Sequence, residues 1–283
     1  MTENPLIKTA DIGDAEVQYL LYEGDGPVVM LMHATGFLPW LWHPIARELA
    51  PEYTVIAPYF CDHRDSDHAD GGLRWAVLAD DFCALCEKLG IDSPFLAGHS
   101  MGGTVITLAE ALHGPRARKM IAIEPIYLPE QVYAMNLTVE QHPLASKSIK
   151  RKNYWEHRDA AREYLLSKQM FQRWDGEMLD LYIQYGMTEG DNGGLTLACS
   201  PEREASLFVG GGHYNPWPHL PEIQCPMLML EGELSENRAF IDLKKAASLV
   251  PKGSYRLIGG AGHLIPMEKP GEIVSIMKDY FAF

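Results

Sequence analysis

The stretch FLAGHSMGGTV, residues 95–105, sets the expectation for the fold. An apolar run predicts a buried strand, and the segment that begins at Met101 has helical periodicity. Ser100 lies between them, in the pattern G-x-S-x-G that it forms with Gly98 and Gly102. Such a tight turn brings side chains two positions before and after the serine into collision, which glycine avoids. The pattern therefore predicts a nucleophilic serine on a strand-to-helix turn.

The helix that follows this turn supplies hydrogen-bond donors beside the serine. The first N–H groups of a helix have no partner within it. The N–H of Met101 can therefore donate to an oxygen atom that becomes negatively charged next to Ser100. We take Met101 as a candidate oxyanion-hole residue.

Strands and helices alternate on both sides of the turn. Continuous apolar runs predict strands within residues 26–33, 53–60, 93–99, 118–125, 226–233 and 254–260. Helical periodicity predicts helices within residues 42–50, 73–90, 101–114, 237–250 and 270–283. Because the strands are continuously apolar rather than alternating, both faces of the sheet are expected to be covered. The fold class is α/β, with a mostly parallel sheet flanked by helices.

The segment 127–221 differs in composition from the rest of the chain. It mixes aromatic and charged residues at helical spacing, and it ends in GGGHYNPWPHLP, residues 210–221, a stretch typical of a linker. We predict that 127–221 forms a mostly helical cap inserted into a core made of residues 1–126 and 222–283.

Composition restricts the partners that the protein can have. A formal net charge of -14 argues against nucleic acid, which selects clustered Lys and Arg. No stretch reaches the roughly 20 apolar residues of a membrane span, and the polar N-terminus is unlike a signal peptide. Five cysteines, an odd number, suit a reducing compartment. We expect a cytoplasmic protein that acts on a small molecule, with neither nucleic acid nor membrane as partner; an oligomer is possible but nothing indicates one.

Two further clusters do not predict a site. CDHRDSDHAD, residues 61–70, has no metal-ligand spacing and is expected to be a polar connecting loop. Its acidic and histidine side chains are Asp62, His63, Asp65, Asp67, His68 and Asp70. Cys83 and Cys86 lie three residues apart in a helix and are expected to be buried thiols. No metal and no cofactor is predicted.

Three motifs together resemble the α/β-hydrolase superfamily over nearly the whole chain: GHSMGG, HATGF (33–37) and GAGHLIPMEKP (260–270). The resemblance implies that His263 is the general base. It also implies that HATGF is the oxyanion loop, with Ala34 where glycine is usual. The second donor is then the N–H of Ala34 or of Thr35, and Thr35 is favoured.

Three residues near these motifs are candidates for substrate binding. His33 and Phe37 are the first and last residues of the oxyanion loop, and Tyr127 follows the strand after the serine's helix.

The acid of the triad has three candidates. The family's common Gly-x-x-Asp pattern ends here at Ser235, which cannot stabilise an imidazolium as an anion does. Glu124 stands at the exit of an apolar strand, where a carboxylate needs a partner, and some family branches keep their acid there. Glu236 and Glu233 follow the next strand. We rank Glu124 first, Glu236 second and Glu233 third.

The resemblance implies a serine hydrolase, carboxylesterase-like, that cleaves an ester or thioester of an apolar or aromatic small molecule through an acyl-enzyme. Serine at position 100 disfavours epoxide hydrolase and haloalkane dehalogenase chemistry, which need a carboxylate nucleophile. A carbon–carbon bond hydrolase, a cofactor-free haloperoxidase or perhydrolase, and a non-hydrolytic ligand-binding protein remain as alternatives, because fold and triad do not dictate the reaction.

Overall fold

The computed structural model describes residues 4–65, 71–114, 116–190 and 193–282. An eight-stranded sheet runs in the order β1-β2-β4-β3-β5-β6-β9-β10, and β7 pairs with β8 in a separate two-stranded sheet. The strands are β1 (Leu6–Asp11), β2 (Glu16–Tyr22), β3 (Val28–Met32), β4 (Thr54–Pro58), β5 (Phe95–His99), β6 (Lys119–Ile123), β7 (Met187–Glu189), β8 (Leu195–Leu197), β9 (Met227–Gly232) and β10 (Gly253–Ile258).

Helices cover both faces of the large sheet. In chain order, the helices of the described residues, those of the sheet faces and of the insertion together, are α1 (His43–Leu49), α2 (Trp75–Lys88), α3 (Met101–His113), α4 (Ala145–Ile149), α5 (Arg158–Leu166), α6 (Gly176–Tyr185), α7 (Pro201–Gly210), α8 (Leu243–Leu249), α9 (Ile265–Glu268) and α10 (Pro270–Phe281). Along β3, Val29 and Leu31 pack in one core cluster with α1 and α10, while Met30 and Met32 pack in another with α2, α3 and α8. The two clusters explain why the strands are apolar on every residue, as the sequence indicated.

The order of the strands decides where the functional side chains meet. From β3 through β5, β6 and β9 to β10 every neighbouring pair is parallel. The carboxyl ends of these five strands therefore lie along one edge of the sheet, where sites form in folds of this type. Ser100 follows β5, Glu124 follows β6, and His263 lies beyond β10.

The segment between β6 and β9 is an insertion of four helices, short 3-10 turns and the β7–β8 pair among its described residues. Its aromatic side chains Trp155, Phe171, Trp174 and Tyr182 belong to the same core cluster as Phe37 of the core. Two short strands within it were not predicted, because three residues are too few to show periodicity.

Two other elements depart from the sequence prediction. The antiparallel pair β1 and β2 was not predicted at all. The helix expected over residues 237–250 is divided into a 3-10 turn, Glu236–Ala239, and the helix α8. The Asp242 side chain accepts a hydrogen bond from the Lys245 N–H and starts α8 anew.

The polar loop after β4 holds an ion-pair network in its described part. His63 Nε2 lies 2.7 Å from Asp81 Oδ2, and Arg64 donates to both oxygens of the same carboxylate. Asp67, His68 and Asp70 lie outside the described residues. Within the described ranges no three potential ligands gather around a metal position.

The five cysteines are free thiols. Burial raises the pKa values of Cys83 and Cys86 to about 12, which is consistent with unreactive side chains. Across the described segments, no helix has the length and apolar character that crossing a membrane requires.

Candidate active site

The turn after β5 has the strained conformation that its glycines suggested. Ser100 has φ +55° and ψ -117°, a region that residues other than glycine rarely occupy. A Cβ on Gly98 would lie 2.4 Å from the carbonyl oxygen of Gly102, and one on Gly102 would lie 2.3 Å from that of Met32. Neither position therefore has room for a side chain. The Ser100 N–H donates to the carbonyl oxygen of Ile123 at 2.9 Å, which holds the turn against β6.

The loop after β10 brings a histidine to this serine. His263 Nε2 lies 3.1 Å from Ser100 Oγ, within hydrogen-bonding distance. The backbone carbonyl of His263 accepts a 2.9 Å hydrogen bond from His99 Nε2, and the N–H of Gly262 donates to Glu268 at 2.8 Å. The loop is thus fixed on both sides of the imidazole. Burial lowers the pKa of His99 to about 3, so that ring stays neutral and acts as a donor to the loop.

The carboxylate that the structure brings to His263 is that of Glu124. Glu124 Oε2 lies 3.0 Å from His263 Nδ1, and the residue is 1% exposed. Oε1 accepts a 2.6 Å hydrogen bond from the Gly232 N–H, and Oε2 accepts one of 2.7 Å from the Ser235 hydroxyl. These donors compensate the burial of the charge. The backbone of Glu124 has φ +49°, a second strained position at the same edge of the sheet.

The loop after β9 therefore supports the carboxylate instead of supplying it. Ser235, where the common pattern has its acid, is buried and donates to Glu124. Glu236 is exposed at the start of the 3-10 turn, and the Glu233 carboxylate accepts a hydrogen bond from the Gly260 N–H at 2.8 Å. The structure does not bring either of these two glutamates to the imidazole.

The oxyanion loop follows β3 directly. The Phe37 N–H donates to the Ala34 carbonyl in a turn that Gly36 completes at φ +75°. Thr35 is 7% exposed, and its hydroxyl has no hydrogen-bond partner among the described residues. Met101 is fully buried at the first position of α3.

His33 holds the oxyanion loop in place. Its Nδ1 lies 2.9 Å from the Ala34 carbonyl, and its Nε2 accepts the Phe60 N–H at 2.9 Å. Burial lowers the pKa of His33 to about 4, so the ring is neutral and carries its proton on Nδ1. Both ring nitrogens already have hydrogen-bond partners. His33, which was expected to bind substrate, therefore lines the cavity without a free hydrogen-bonding group.

A small cavity of about 10 Å³ lies next to the oxyanion loop and His99. Its walls come from the oxyanion loop, the segment after it, the residue before Ser100 and the segment after His263. The lining residues are His33, Ala34, Phe37, Leu41, Trp42, His99, Pro266 and Met267. The Phe37 ring forms T-shaped contacts with Trp174 and Tyr182 of the insertion, with centroids 5.6 and 5.8 Å apart. The walls are mostly apolar and aromatic.

Tyr127, the third residue expected to bind substrate, is placed elsewhere. It is completely buried, its hydroxyl bonds to the Thr107 hydroxyl at 2.6 Å, and its ring packs on Trp217. The structure puts it in the core cluster around α3 and does not bring it to the cavity.

Sequence reasoning missed one polar side chain at the imidazole. Asn237 Nδ2 lies 3.0 Å from His263 Nδ1 and 3.5 Å from Glu124 Oε2. No motif points to Asn237. The available signal was its place in the loop after β9, two residues after Ser235, where the family's common pattern has its acid.

Comparisons with known proteins agree with this architecture. A sequence model described as the "Alpha/beta hydrolase family" matches residues 28–276. A 2-(acetamidomethylene)succinate hydrolase of Mesorhizobium japonicum is 23% identical over 250 residues, which is 88% of this chain and 85% of that protein. The esterase YbfF of Escherichia coli is 22% identical over 259 residues, 90% of this chain and 93% of that protein.

Among solved structures, that of E-2-(acetamidomethylene)succinate hydrolase superposes with a TM-score of 0.82 at 20% identity. The match covers 99% of this chain and 100% of that chain. At this identity the likeness concerns the fold.

Proposed function

The chain belongs to the alpha/beta hydrolase family, and from that membership we propose that it is a serine hydrolase that cleaves an ester or thioester of an apolar or aromatic small molecule. The observation that carries the proposal is the continuous chain of side chains from Ser100 Oγ through the His263 imidazole to the Glu124 carboxylate, with steps of 3.1 and 3.0 Å. A nucleophile, a base and an orienting acid in this geometry are the parts that acyl transfer needs.

Acylation begins with attack of Ser100 Oγ on the substrate carbonyl carbon. His263 Nε2 takes the hydroxyl proton as the new bond forms, and Glu124 stabilises the resulting imidazolium through Nδ1–H. The N–H groups of Met101 and Thr35 donate to the carbonyl oxygen as it becomes an anion. The imidazolium then gives its proton to the departing alcohol or thiol, and the acyl group remains on Ser100.

Deacylation uses the same groups in reverse. Water enters in place of the leaving group, and His263 removes its proton as it attacks the acyl carbon. The second tetrahedral intermediate collapses, Ser100 Oγ recovers the proton from His263, and the carboxylic acid is released.

The apolar and aromatic side chains around the oxyanion loop support an apolar or aromatic substrate. Phe37, Leu41, Trp42 and Met267 line the small cavity next to this loop with carbon surface. The two histidines of the lining are neutral, since burial lowers the pKa values of both. Apolar groups gain free energy by leaving water for such a surface.

A fluorophosphonate probe, which phosphonylates activated serines, tests the proposal. We expect wild-type protein to be labelled and Ser100→Ala not to be labelled. Ser275→Ala is a matched control, because Ser275 is exposed on α10 and should leave labelling unchanged. A panel of nitrophenyl esters of increasing acyl length would then define the preferred substrate. Folded wild-type protein that resists the probe would overturn the proposal.

A further inference from the structure

Two polar side chains meet the same nitrogen of the base. Glu124 Oε2 and Asn237 Nδ2 each lie 3.0 Å from His263 Nδ1, and they lie 3.5 Å from each other. They come from different strand ends, Glu124 after β6 and Asn237 after β9. The Nδ1 proton is donated to Glu124, so the NH₂ group of Asn237 does not hydrogen-bond to Nδ1; it acts on the imidazole through the Glu124 carboxylate, to which it donates.

We propose that Asn237 is a positioning residue for the general base, and that its place at Nδ1 can carry the acid of the triad. The inference rests on the proposed function, because it assumes that His263 activates Ser100. A side chain of the loop after β9 thus has a role at the base, although the acid itself, Glu124, lies at the end of β6.

Ser235 ties Asn237 to the carboxylate. Its Oγ donates to Glu124 Oε2 at 2.7 Å and accepts the Asn237 N–H at 3.3 Å. The same hydroxyl therefore fixes the backbone at position 237 relative to the buried charge. With Asn237 only partly exposed, its carboxamide has a defined place against the imidazole.

An exchange of the two functional groups tests whether the place can carry the acid. Glu124→Gln combined with Asn237→Asp replaces a carboxylate by an amide and an amide by a carboxylate, with nearly the same atoms and an unchanged net charge. The new carboxylate would lie about as far from Nδ1 as the old one, 3.0 Å. It can then accept the Nδ1 proton and stabilise the imidazolium.

For Asn237→Asp alone we expect a different labelling result. It leaves two carboxylates about 3.5 Å apart, and like charges at that distance cannot both ionise readily, so the pair shares a proton. We therefore expect no gain from Asn237→Asp alone, and a gain only where Glu124 has lost its charge.

The readout is the second-order rate of fluorophosphonate labelling at Ser100, which needs no knowledge of the substrate. We expect Glu124→Gln to lower this rate by about 10³-fold. The exchanged variant Glu124→Gln/Asn237→Asp is expected to be labelled at least about tenfold faster than Glu124→Gln. A matched control is Glu124→Gln/Asn136→Asp, which adds the same charge on the exposed surface of the insertion and should remain as slow as Glu124→Gln.

The outcomes separate this inference from the proposed function. Wild-type protein without labelling would refute the function itself. Labelled wild type, with a folded exchanged variant as slow as Glu124→Gln, would refute only the role of position 237. Thermal melting establishes that each variant is folded. Should the exchanged variant not fold, Asn237→Ala decides: a loss of about tenfold in labelling rate supports the inference, and an unchanged rate overturns it.

Discussion

Replacing Glu124 by glutamine removes one charge at the centre of the site with almost no change in volume. The carboxylate accepts hydrogen bonds from His263 Nδ1, the Gly232 N–H and the Ser235 hydroxyl. A glutamine can keep the bond from Gly232, but its NH₂ group then faces Nδ1 and disfavours a proton there. The imidazole shifts its proton to Nε2, which can no longer accept the proton of the serine.

The size of the effect follows from the role of the carboxylate. His263 loses both the tautomer with its proton on Nδ1 and the stabilisation of its imidazolium. Together these losses lower kcat by about 10³- to 10⁴-fold, or about 4–5 kcal/mol of transition-state stabilisation. Stability should change less than activity, because the amide fills the same buried space. Steady-state hydrolysis of a short nitrophenyl ester measures the first quantity, and urea denaturation measures the second.

Glu236→Gln is the matched control for this prediction. It makes the same chemical change on an exposed residue of the loop after β9. We expect its kcat to stay within about twofold of wild type. The reasoning is refuted if Glu124→Gln turns over esters at nearly the wild-type rate, and more directly if Glu236→Gln abolishes turnover.

Three further predictions concern the surroundings of the site. Gly102→Ala forces a Cβ to within 2.3 Å of the Met32 carbonyl oxygen and should lower the free energy of unfolding by about 3 kcal/mol, measured in urea; a wild-type midpoint would contradict the close approach. Thr35→Val should keep kcat/KM within about threefold, because the backbone N–H is the proposed donor, whereas a loss of about 10²-fold would assign that role to the hydroxyl. Burial favours a higher pKa for Asp81, but hydrogen bonds from Arg64 and His63 outweigh it and hold the pKa below its usual value. The ion pair therefore stabilises the fold above the unfolded pKa of about 4 and is lost as pH falls through the lower folded value. Asp81→Asn should cost about 2 kcal/mol at pH 7 and progressively less in acid, as urea denaturation across pH would show; a cost independent of pH would refute the ionic contribution.

Local sequence patterns carried most of the information about the core. Continuous apolar runs gave the strands on which the site is built, because a strand covered on both faces has no polar alternation. The spacing around Ser100 gave the turn, since the contacts of Gly98 and Gly102 leave no room for a side chain. These are properties of a few neighbouring residues, which sequence reasoning can reach.

Contacts between residues that follow different strands could not be read from the sequence, which allowed the candidate acids only to be ranked. Glu124, which follows β6, meets His263, which follows β10, because β6, β9 and β10 lie side by side in the sheet, and strand order is not visible in periodicity. For the same reason Asn237 was missed, although it lies in the very loop that was searched for an acid. Tyr127 was expected to bind substrate from its position after β6, but its side chain points into the core cluster around α3, where its hydroxyl bonds to Thr107.

The most direct test of the account is to trap the covalent intermediate. Wild-type protein would be mixed with a nitrophenyl ester, quenched in acid within the first turnover, digested and analysed by mass spectrometry. From the acyl-enzyme mechanism we expect an acyl group on the peptide that contains Ser100, and its absence in Ser100→Ala together with loss of turnover. Ester hydrolysis that persists in Ser100→Ala, or an acyl group carried by another residue of the turning-over enzyme, would contradict it.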